Sequence, residues 1–365
     1  MLYPQEHNRQ TSTVIIEPVG ASCNLACDYC YHNNIRETKV HVMSLLVLEK
    51  IIEQSLRLNK HRIKFLWHGG EPLLAGLEFY KEVVCLQNRL REAGQRVENH
   101  IQTNATLIND EWAEFFCSTG FKISTSIDGP RQIHDSFRKT SSGKGSFESV
   151  VKGVRILQEY QLKTGVVVTV NRHNVYYPED VYQTLIQLGC KSFELSVASN
   201  TAISASIAPH SEDACIFLKK IFDLWLDADD PSVYIRLFDN TVRAMLGAQV
   251  RNCAFSYNRC REYIAFDENG EIYTCARFFK EESAYLGSCF GGSVLELLAS
   301  AKVSSLYDSV AKIKEECLVC RWLGACGGGC AYQRWLNGGF GSLFPQCEIR
   351  KSLFEHIENR IKPLL

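Results

Sequence analysis

Six short runs rich in β-branched and aromatic residues recur up to residue 197: TVIIEPV (13–19), RIKFLWH (62–68), NHIQT (99–103), FKISTS (121–126), TGVVVTV (164–170) and KSFELSV (191–197). Each is bounded by polar turn residues and reads as a strand. Segments 44–56, 77–90, 110–119, 147–160 and 179–189, lying between them, carry apolar residues at helical spacing. This alternation sets the fold class, α/β, with a parallel sheet joined by right-handed crossovers. Six units are fewer than the eight that close a TIM barrel, so the expected frame is an open, partial (β/α)6 TIM-like barrel. In such frames function gathers at the C-terminal ends of the strands.

Those ends carry the unusual residues. Strand one runs into CNLACDYC (23–30), which spaces Cys23, Cys27 and Cys30 as C-x3-C-x2-C. Strand two runs into HGGEP (68–72), strand three into QTNATLI (102–108) and strand four into SIDGP (126–130). A simple turn would account for Gly69-Gly70 alone. Four such segments at one edge of one sheet point to a single site.

Composition narrows the class. Formal net charge is −1, which gives no electrostatic case for nucleic acid or an anionic membrane. No run approaches about 18 continuous apolar residues, the length that would span a membrane. The start, MLYPQEHNRQTST, lacks an apolar signal core, so the expected setting is cytoplasmic. The chain has 16 cysteines, and in a long chain without an export signal, clustered cysteines point to metal rather than disulfides. Cys85, Cys117, Cys190, Cys215 and Cys289 stand singly and read as small buried hydrophobes.

Three thiolates leave a four-ligand centre incomplete. His32 would complete a Cys3His zinc site, whereas a 4Fe–4S cluster on three cysteines would keep one iron open. CNLACDYC, with an aromatic residue before its last cysteine, resembles the signature of the radical S-adenosylmethionine (SAM) enzymes. The resemblance implies that Cys23, Cys27 and Cys30 hold a 4Fe–4S cluster whose open iron takes the amino and carboxylate groups of SAM. Cleavage of SAM then gives a 5′-deoxyadenosyl radical that abstracts a hydrogen atom. It further implies that Gly69, Gly70, Glu71 and Pro72 receive the SAM ammonium. Thr103, Asn104, Ser126 and Asp128 would line the next two strand ends, Asn104 and Ser126 near the methionine or ribose. Arg138 would reach the SAM carboxylate; read without the resemblance, it is a solvated surface charge.

From residue 253 the composition changes. Cys253, Cys260, Gly270 and Cys275 precede Cys317, Cys320, Cys326 and Cys330, and Cys347 follows. The spacings C-x9-G-x4-C and C-x2-C-x5-C-x3-C match the SPASM domain carried by many radical SAM peptide-modifying enzymes. The expected division is therefore 1–230, the radical SAM barrel, and 231–365, a cysteine-rich SPASM domain with a C-terminal helix. The resemblance implies two auxiliary 4Fe–4S clusters, one on Cys253, Cys260, Cys275 and Cys330 and one on Cys317, Cys320, Cys326 and Cys347, making three in all. Paired zinc ribbons are the alternative for this spacing. Fully ligated clusters suit electron transfer, and a flavodoxin- or ferredoxin-type reductant is the implied partner.

The whole chain is similar to the anaerobic sulfatase-maturing enzymes through HGGEPLLAGLEFY, QTNATLI, SIDGP and RLFDN. Those enzymes oxidise a cysteine or serine to formylglycine and carry a basic aspartate directly after the cysteine matching Cys275. Here that position is Ala276, and Glu194 stands where the family has glutamine. Maturases of ribosomally made peptides, some of them cyclophane-forming, share the WHGGEP element. The expected function is therefore hydrogen abstraction from a precursor peptide and an intrapeptide cross-link, a cyclophane-type C–C bond. Sulfatase maturation is the alternative. A non-enzymatic iron–sulfur electron carrier is the alternative of another class, which would not need the SAM elements. Asp239 is a candidate base by placement, with a helix cap as its structural alternative. About a dozen residues precede the first strand, too few for a leader-binding fold. Leader recognition is expected from the barrel, the C-terminal domain or a separate protein. Segment 212–227 reads as a helix with Phe222 and Leu224 in the core, and YIRLF (234–238) reads as a strand.

Overall fold

A computed structural model of the chain describes residues 11–32, 39–199, 206–248, 250, 252–255 and 259–364. Among the described residues the strands are β1 Thr13–Ile16, β2 Arg62–Trp67, β3 Arg96–Gln102, β4 Lys122–Ser126, β5 Thr164–Val170, β6 Ser192–Val197, β7 Tyr234–Ile235, β8 Tyr263–Phe266, β9 Glu271–Tyr273 and β10 Tyr285–Ser288. They form one sheet in the order β10-β9-β8-β1-β2-β3-β4-β5-β6-β7. The six strands expected from the sequence are β1 to β6, parallel and in chain order. Their crossovers carry α1 Leu45–Leu58, α2 Leu77–Leu90, α3 Asp110–Thr119, α4 Arg131–Phe137, α5 Phe147–Glu159 and α6 Pro178–Gln187. α7 Ser211–Ala228 follows β6. The sheet ends at β10 and β7, so the partial barrel stays open.

Period-two patterning decides which side of each strand meets the helices. On β2, Ile63, Phe65 and Trp67 are buried under α1 and α2, while Arg62, Lys64 and Leu66 take the other face. The helices start where the sequence caps them. The Asn109 side chain accepts from Trp112 N at 3.0 Å, acidic Asp110 and Glu111 fill the first turn of α3, and Gly120 in the left-handed region ends it.

Two features depart from the sequence reading. The strand expected over 234–238 is only Tyr234–Ile235, and α8 Arg236–Met245 takes over at once. Ile235 is the last residue with a partner on β6. Beyond it Asn240 and Thr241 bond back to the carbonyls of Arg236 and Leu237, and Leu237 and Phe238 bury one helical face. The hairpin β8–β10 was not expected, because three short strands are interleaved with the cysteines. Its signal was Asn269-Gly270, a hairpin dipeptide, with Gly270 at φ +84°, where a Cβ would lie 2.5 Å from the Cys289 sulfur.

β8 comes from the cysteine-rich region, yet it pairs parallel with β1, Thr13 opposite Tyr263. The boundary expected at 230/231 falls in the turn after α7, and the sheet continues across it on both sides. The C-terminal helix Cys347–Ile361 packs on α7. There Asp223 takes His356 at 2.8 Å and Arg360 at 3.0 Å. Phe222 is fully buried and Leu224 packs against the same core, as expected. Among the described residues no helix is long and apolar enough to cross a membrane.

None of the sixteen cysteines is joined in a disulfide. Of the five that stand singly, Cys190 and Cys289 are buried and Cys215 is half-buried. Cys85 and Cys117 are exposed, against expectation. Each sits in an amphipathic helix whose buried residues, Val83 and Leu86 in α2 and Phe115 and Phe116 in α3, turn the cysteine to the solvent side.

Candidate active site at the strand ends

The loop carrying Cys23, Cys27 and Cys30 is fixed by backbone bonds on both flanks. Asp28 N donates to Phe137 O at 3.0 Å, and Leu25 bridges Thr140. On the other flank Gly70 N donates to Gly20 O and Glu71 N to Ser22 O, both at 2.8 Å. A Cβ on Gly70 would lie 2.0 Å from Ser22 O, and Gly69 adopts φ +108°. The glycine pair thus lets the end of β2 lie flat on residues 20–22, which lead into the triplet.

Glu71 is wholly buried. Its carboxylate accepts from Leu73 N at 3.0 Å, Thr103 Oγ1 at 2.7 Å and Asn104 N at 2.7 Å. Burial pushes this carboxyl up to about 7, against the pull of those three bonds. Expected to help receive an ammonium, the carboxylate already accepts three bonds from the chain, one of which positions Asn104. The Asn104 amide donates to Asn24 Oδ1 at 2.8 Å and toward Cys23 Sγ at 3.8 Å, so it is the amide turned to the triplet.

Arg138 is likewise committed, and it is not a solvated charge. It is buried against Asp128, with Nε at 2.9 Å from Oδ2 and Nη2 at 3.4 Å from Oδ1. Tyr29, the aromatic before Cys30, donates its hydroxyl to the same carboxylate, and Thr169 N donates to it at 2.8 Å. The guanidinium lies 5.2 Å from the Tyr29 ring centre. Below this pair, buried His134 accepts from Asp128 N at 3.4 Å and meets Ser146 Oγ at 3.0 Å. Burial holds its imidazole down to about 4. Ser126 accepts from Gln102 at 3.2 Å, and Pro72 opens a short 3-10 turn capped by Glu71.

Sequence reasoning missed several residues here. His68 accepts from Gly69 N at 2.7 Å and meets the Tyr31 hydroxyl at 3.3 Å; burial holds it down to about 4. His32, which the sequence did offer as the fourth ligand of a zinc site, is turned instead to Glu17, 3.5 Å away, in a buried pair. Tyr31 lies within charge reach of Cys30 in the triplet and of Cys275 and Arg277 in the C-terminal region. It therefore stands between the two. Its signal was its place directly after Cys30.

The eight C-terminal cysteines fall into two neighbourhoods. The Cys253 and Cys260 thiols lie within charge reach of each other and of Cys275 and Cys330. Cys317 lies within reach of Cys320 and Cys326, and Cys347 within reach of Cys326 and Cys317. Burial pushes Cys23 and Cys253 up to about 12 and Cys347 up to about 11, with neighbouring thiols adding to the rise. Such thiols give up their protons only to a strong cation. Among the described residues no three His, Cys, Asp or Glu side chains converge on one point as a single metal ion requires.

Three residues singled out by the sequence lie differently from the cysteine groups. Asp239 is no helix cap: it takes Arg243 Nε at 2.8 Å and the Tyr234 hydroxyl at 3.3 Å on α8. Glu194 pairs with Arg236, which is within charge reach of Cys253. Ala276 is buried in a small apolar cluster with Ile15 and Ala265, against which Leu66, Tyr263 and Phe279 pack.

A partial (β/α) barrel with a three-cysteine loop after β1, and with polar groups ordered behind it at three further strand ends, defines a class: an enzyme built around a thiolate-held centre. Residues 18–185 match the model of the radical SAM superfamily. The chain is 32% identical to a serine-type anaerobic sulfatase-maturating enzyme of Bacteroides thetaiotaomicron, over 94% of this chain and 89% of that one. It is 29% identical to a cysteine-type anaerobic sulfatase-maturating enzyme of Clostridium novyi, over 94% of each. A solved structure described as native anSMEcpe with bound AdoMet and Cp18Cys peptide superposes with TM-score 0.88 at 26% identity, over 97% of this chain and 99% of that one. The chain belongs to the radical SAM superfamily, among the relatives of the anaerobic sulfatase-maturating enzymes. The fold also matches Streptococcus suis SuiB bound to its precursor peptide SuiA, with TM-score 0.69 at 16% identity, over 92% of this chain and 75% of that one.

Proposed function

We propose that this radical SAM enzyme matures a ribosomally made precursor peptide by forming an intrapeptide cross-link, a C–C bond of cyclophane type. When bound, SAM and a 4Fe–4S centre supply the radical that removes a hydrogen atom. In this reading Cys23, Cys27 and Cys30 hold that centre. Asn104, Ser126 and the backbone of Gly69 and Gly70 face SAM, while Glu71, Pro72, Thr103, Asp128 and Arg138 hold those segments in place. Cys253, Cys260, Cys275 and Cys330 form one auxiliary ligand set and Cys317, Cys320, Cys326 and Cys347 the other. The residues fit such groups: the donors are soft, half-buried thiols gathered in neighbouring sets. Joining two X–H groups removes two hydrogens. One would leave as an atom and the other as a proton to solvent and an electron, which centres held by the C-terminal sets would accept. A flavodoxin- or ferredoxin-type reductant supplies the electron that starts the cycle.

The observation that favours cross-linking over aldehyde formation is Ala276. Its buried methyl packs on Ile15 and Ala265, where the resemblance to sulfatase-maturing enzymes puts a basic aspartate. A methyl group accepts no proton. Sulfatase maturation is the second reading, and it rests on what the relatives are.

The test uses enzyme reconstituted without oxygen, SAM and a reductant. With cysteine- and serine-type sulfatase peptides we expect 5′-deoxyadenosine but no aldehyde by hydrazone trapping. With a short precursor encoded beside the enzyme we expect a product lighter by two hydrogens and linked within its chain. Aldehyde formed in step with SAM cleavage would put the second reading first.

A further inference from the structure

Arg350 lies on the C-terminal helix and is 9% exposed. Its Nη1 donates to Ala254 O at 2.7 Å, to Cys326 O at 3.1 Å and to Cys326 Sγ at 3.4 Å. Its guanidinium carbon sits between two rings, 3.9 Å from the centre of Phe255 and 4.3 Å from that of Phe344. Among the described residues it has no carboxylate within ion-pair distance. A buried cation without an anion is costly. Two aromatic faces offset part of that cost, and two carbonyls take hydrogen bonds, but neither supplies a negative charge. The anionic groups left to face it are the thiolates of the set that contains Cys326.

The same nitrogen touches both C-terminal neighbourhoods, because Ala254 follows Cys253 and Cys326 belongs to the other set. Around the triplet the sulfur bonds differ in kind. Cys23 Sγ accepts from Leu25 N at 3.4 Å and from the Asn104 amide at 3.8 Å, both neutral donors. Charge, hydrogen bonds to sulfur and burial set where an iron–sulfur centre is poised. A buried cation donating to sulfur favours the reduced, more negative state.

We propose that Arg350 is a positioning residue that makes the centre held by Cys317, Cys320, Cys326 and Cys347 easier to reduce, and so suits it to accept the substrate's electron. This rests on the ligand sets given under Proposed function.

The experiment is a redox titration of the reconstituted full chain followed by electron paramagnetic resonance, with iron measured on each sample. The signal missing from Cys347→Ala identifies the centre. In Arg350→Gln we expect at least a tenfold loss in the equilibrium constant for reducing that centre, about 59 mV for one electron, with the triplet's signal unmoved. Arg350→Lys keeps the charge but loses the bonds to Cys326, and should shift the same way by a smaller amount, about threefold in that constant. Lys351→Gln removes an exposed charge near Cys347 that already pairs with Glu348 at 3.0 Å, and should shift little. Full iron with an unmoved potential in Arg350→Gln would overturn the assignment, as would equal shifts in Arg350→Gln and Lys351→Gln. Should Arg350→Gln fail to hold iron, Arg350→Lys decides: an unshifted potential there overturns it equally. Wild-type protein with only about four irons per chain would instead overturn the ligand sets, and this inference with them.

Discussion

The triplet loop and the C-terminal thiol sets solve opposite problems with the same atom. Around Cys23, described residues bring amide donors to the sulfur, and the guanidinium of Arg138 nearby is matched by Asp128. Around the C-terminal sets guanidinium groups press in without a carboxylate of their own: Arg277 beside Cys275 and Cys330, and Arg350 on Cys326. In the proposed reading, three thiols met by amides would leave a place for a ligand to bind, whereas four thiols met by guanidinium groups would close the coordination and stabilise added electrons. The difference teaches that cysteine count and the charge of the surrounding donors vary together, and that both serve what each centre does.

The sharpest way to break this comparison is to remove each kind of set. A Cys23, Cys27, Cys30→Ala triple variant should lose all SAM cleavage and keep about eight irons, four for each auxiliary centre. Cys317→Ala should keep SAM cleavage and lose the cross-linked product, provided the variant folds, since a lost centre also removes binding energy. Cleavage surviving in the triple variant would end the reading of the triplet.

Next comes the matched arginine. Arg138→Met leaves Asp128 buried without its cation and should cost about 3–5 kcal/mol in a denaturant titration. Asp128→Leu combined with Arg138→Met should cost less than the sum of the two single changes, because the stranded charge is gone. Additive losses would mean the pair is not coupled.

Gly70→Ala drives a methyl into Ser22 O and should cost about 1–3 kcal/mol, weakening SAM binding with it. Gly341→Ala, with nothing within 4 Å, should be silent.

The smallest effect is the pH slope. An unfolded chain binds a proton on His134 near pH 6.5, whereas the folded chain resists until about 4. Protons therefore favour unfolding across that window: the contribution is full above about pH 6.5 and is lost as pH falls toward 4, at about 1.4 kcal/mol per unit. His134→Asn should flatten the slope of the urea midpoint below pH 6.5, and an unchanged slope would assign it to other groups.

What the sequence showed, and what it hid, follows from the range of each interaction. The six strands and their helices were legible because period and capping are local. The neighbourhood of Cys330 with Cys253, Cys260 and Cys275 was implied by the resemblance and not by spacing, which sets Cys330 beside Cys326. Glu71 and Arg138 were legible as important but not in their part: which atom a carboxylate or guanidinium faces depends on partners 32 and 10 residues away. Arg350 gave no signal, since its worth comes from Ala254, 96 residues distant, and from two rings that only the fold brings together.

One pairing sets the order of events when the chain is made. β1 is flanked by β2 on one side and β8 on the other, and Thr11 bonds Arg261 across 250 residues of sequence. During synthesis β1 keeps a bare edge until β8, about 250 residues later, has followed it. Bare edges invite other chains, and contacts this far apart in sequence close slowly. The hairpin β8–β10 is thus the clasp of the fold. A chain cut at residue 230 would keep the whole SAM half yet expose β1 as a template for aggregation. An exchange of C-terminal regions between relatives has to bring its own strand for that edge.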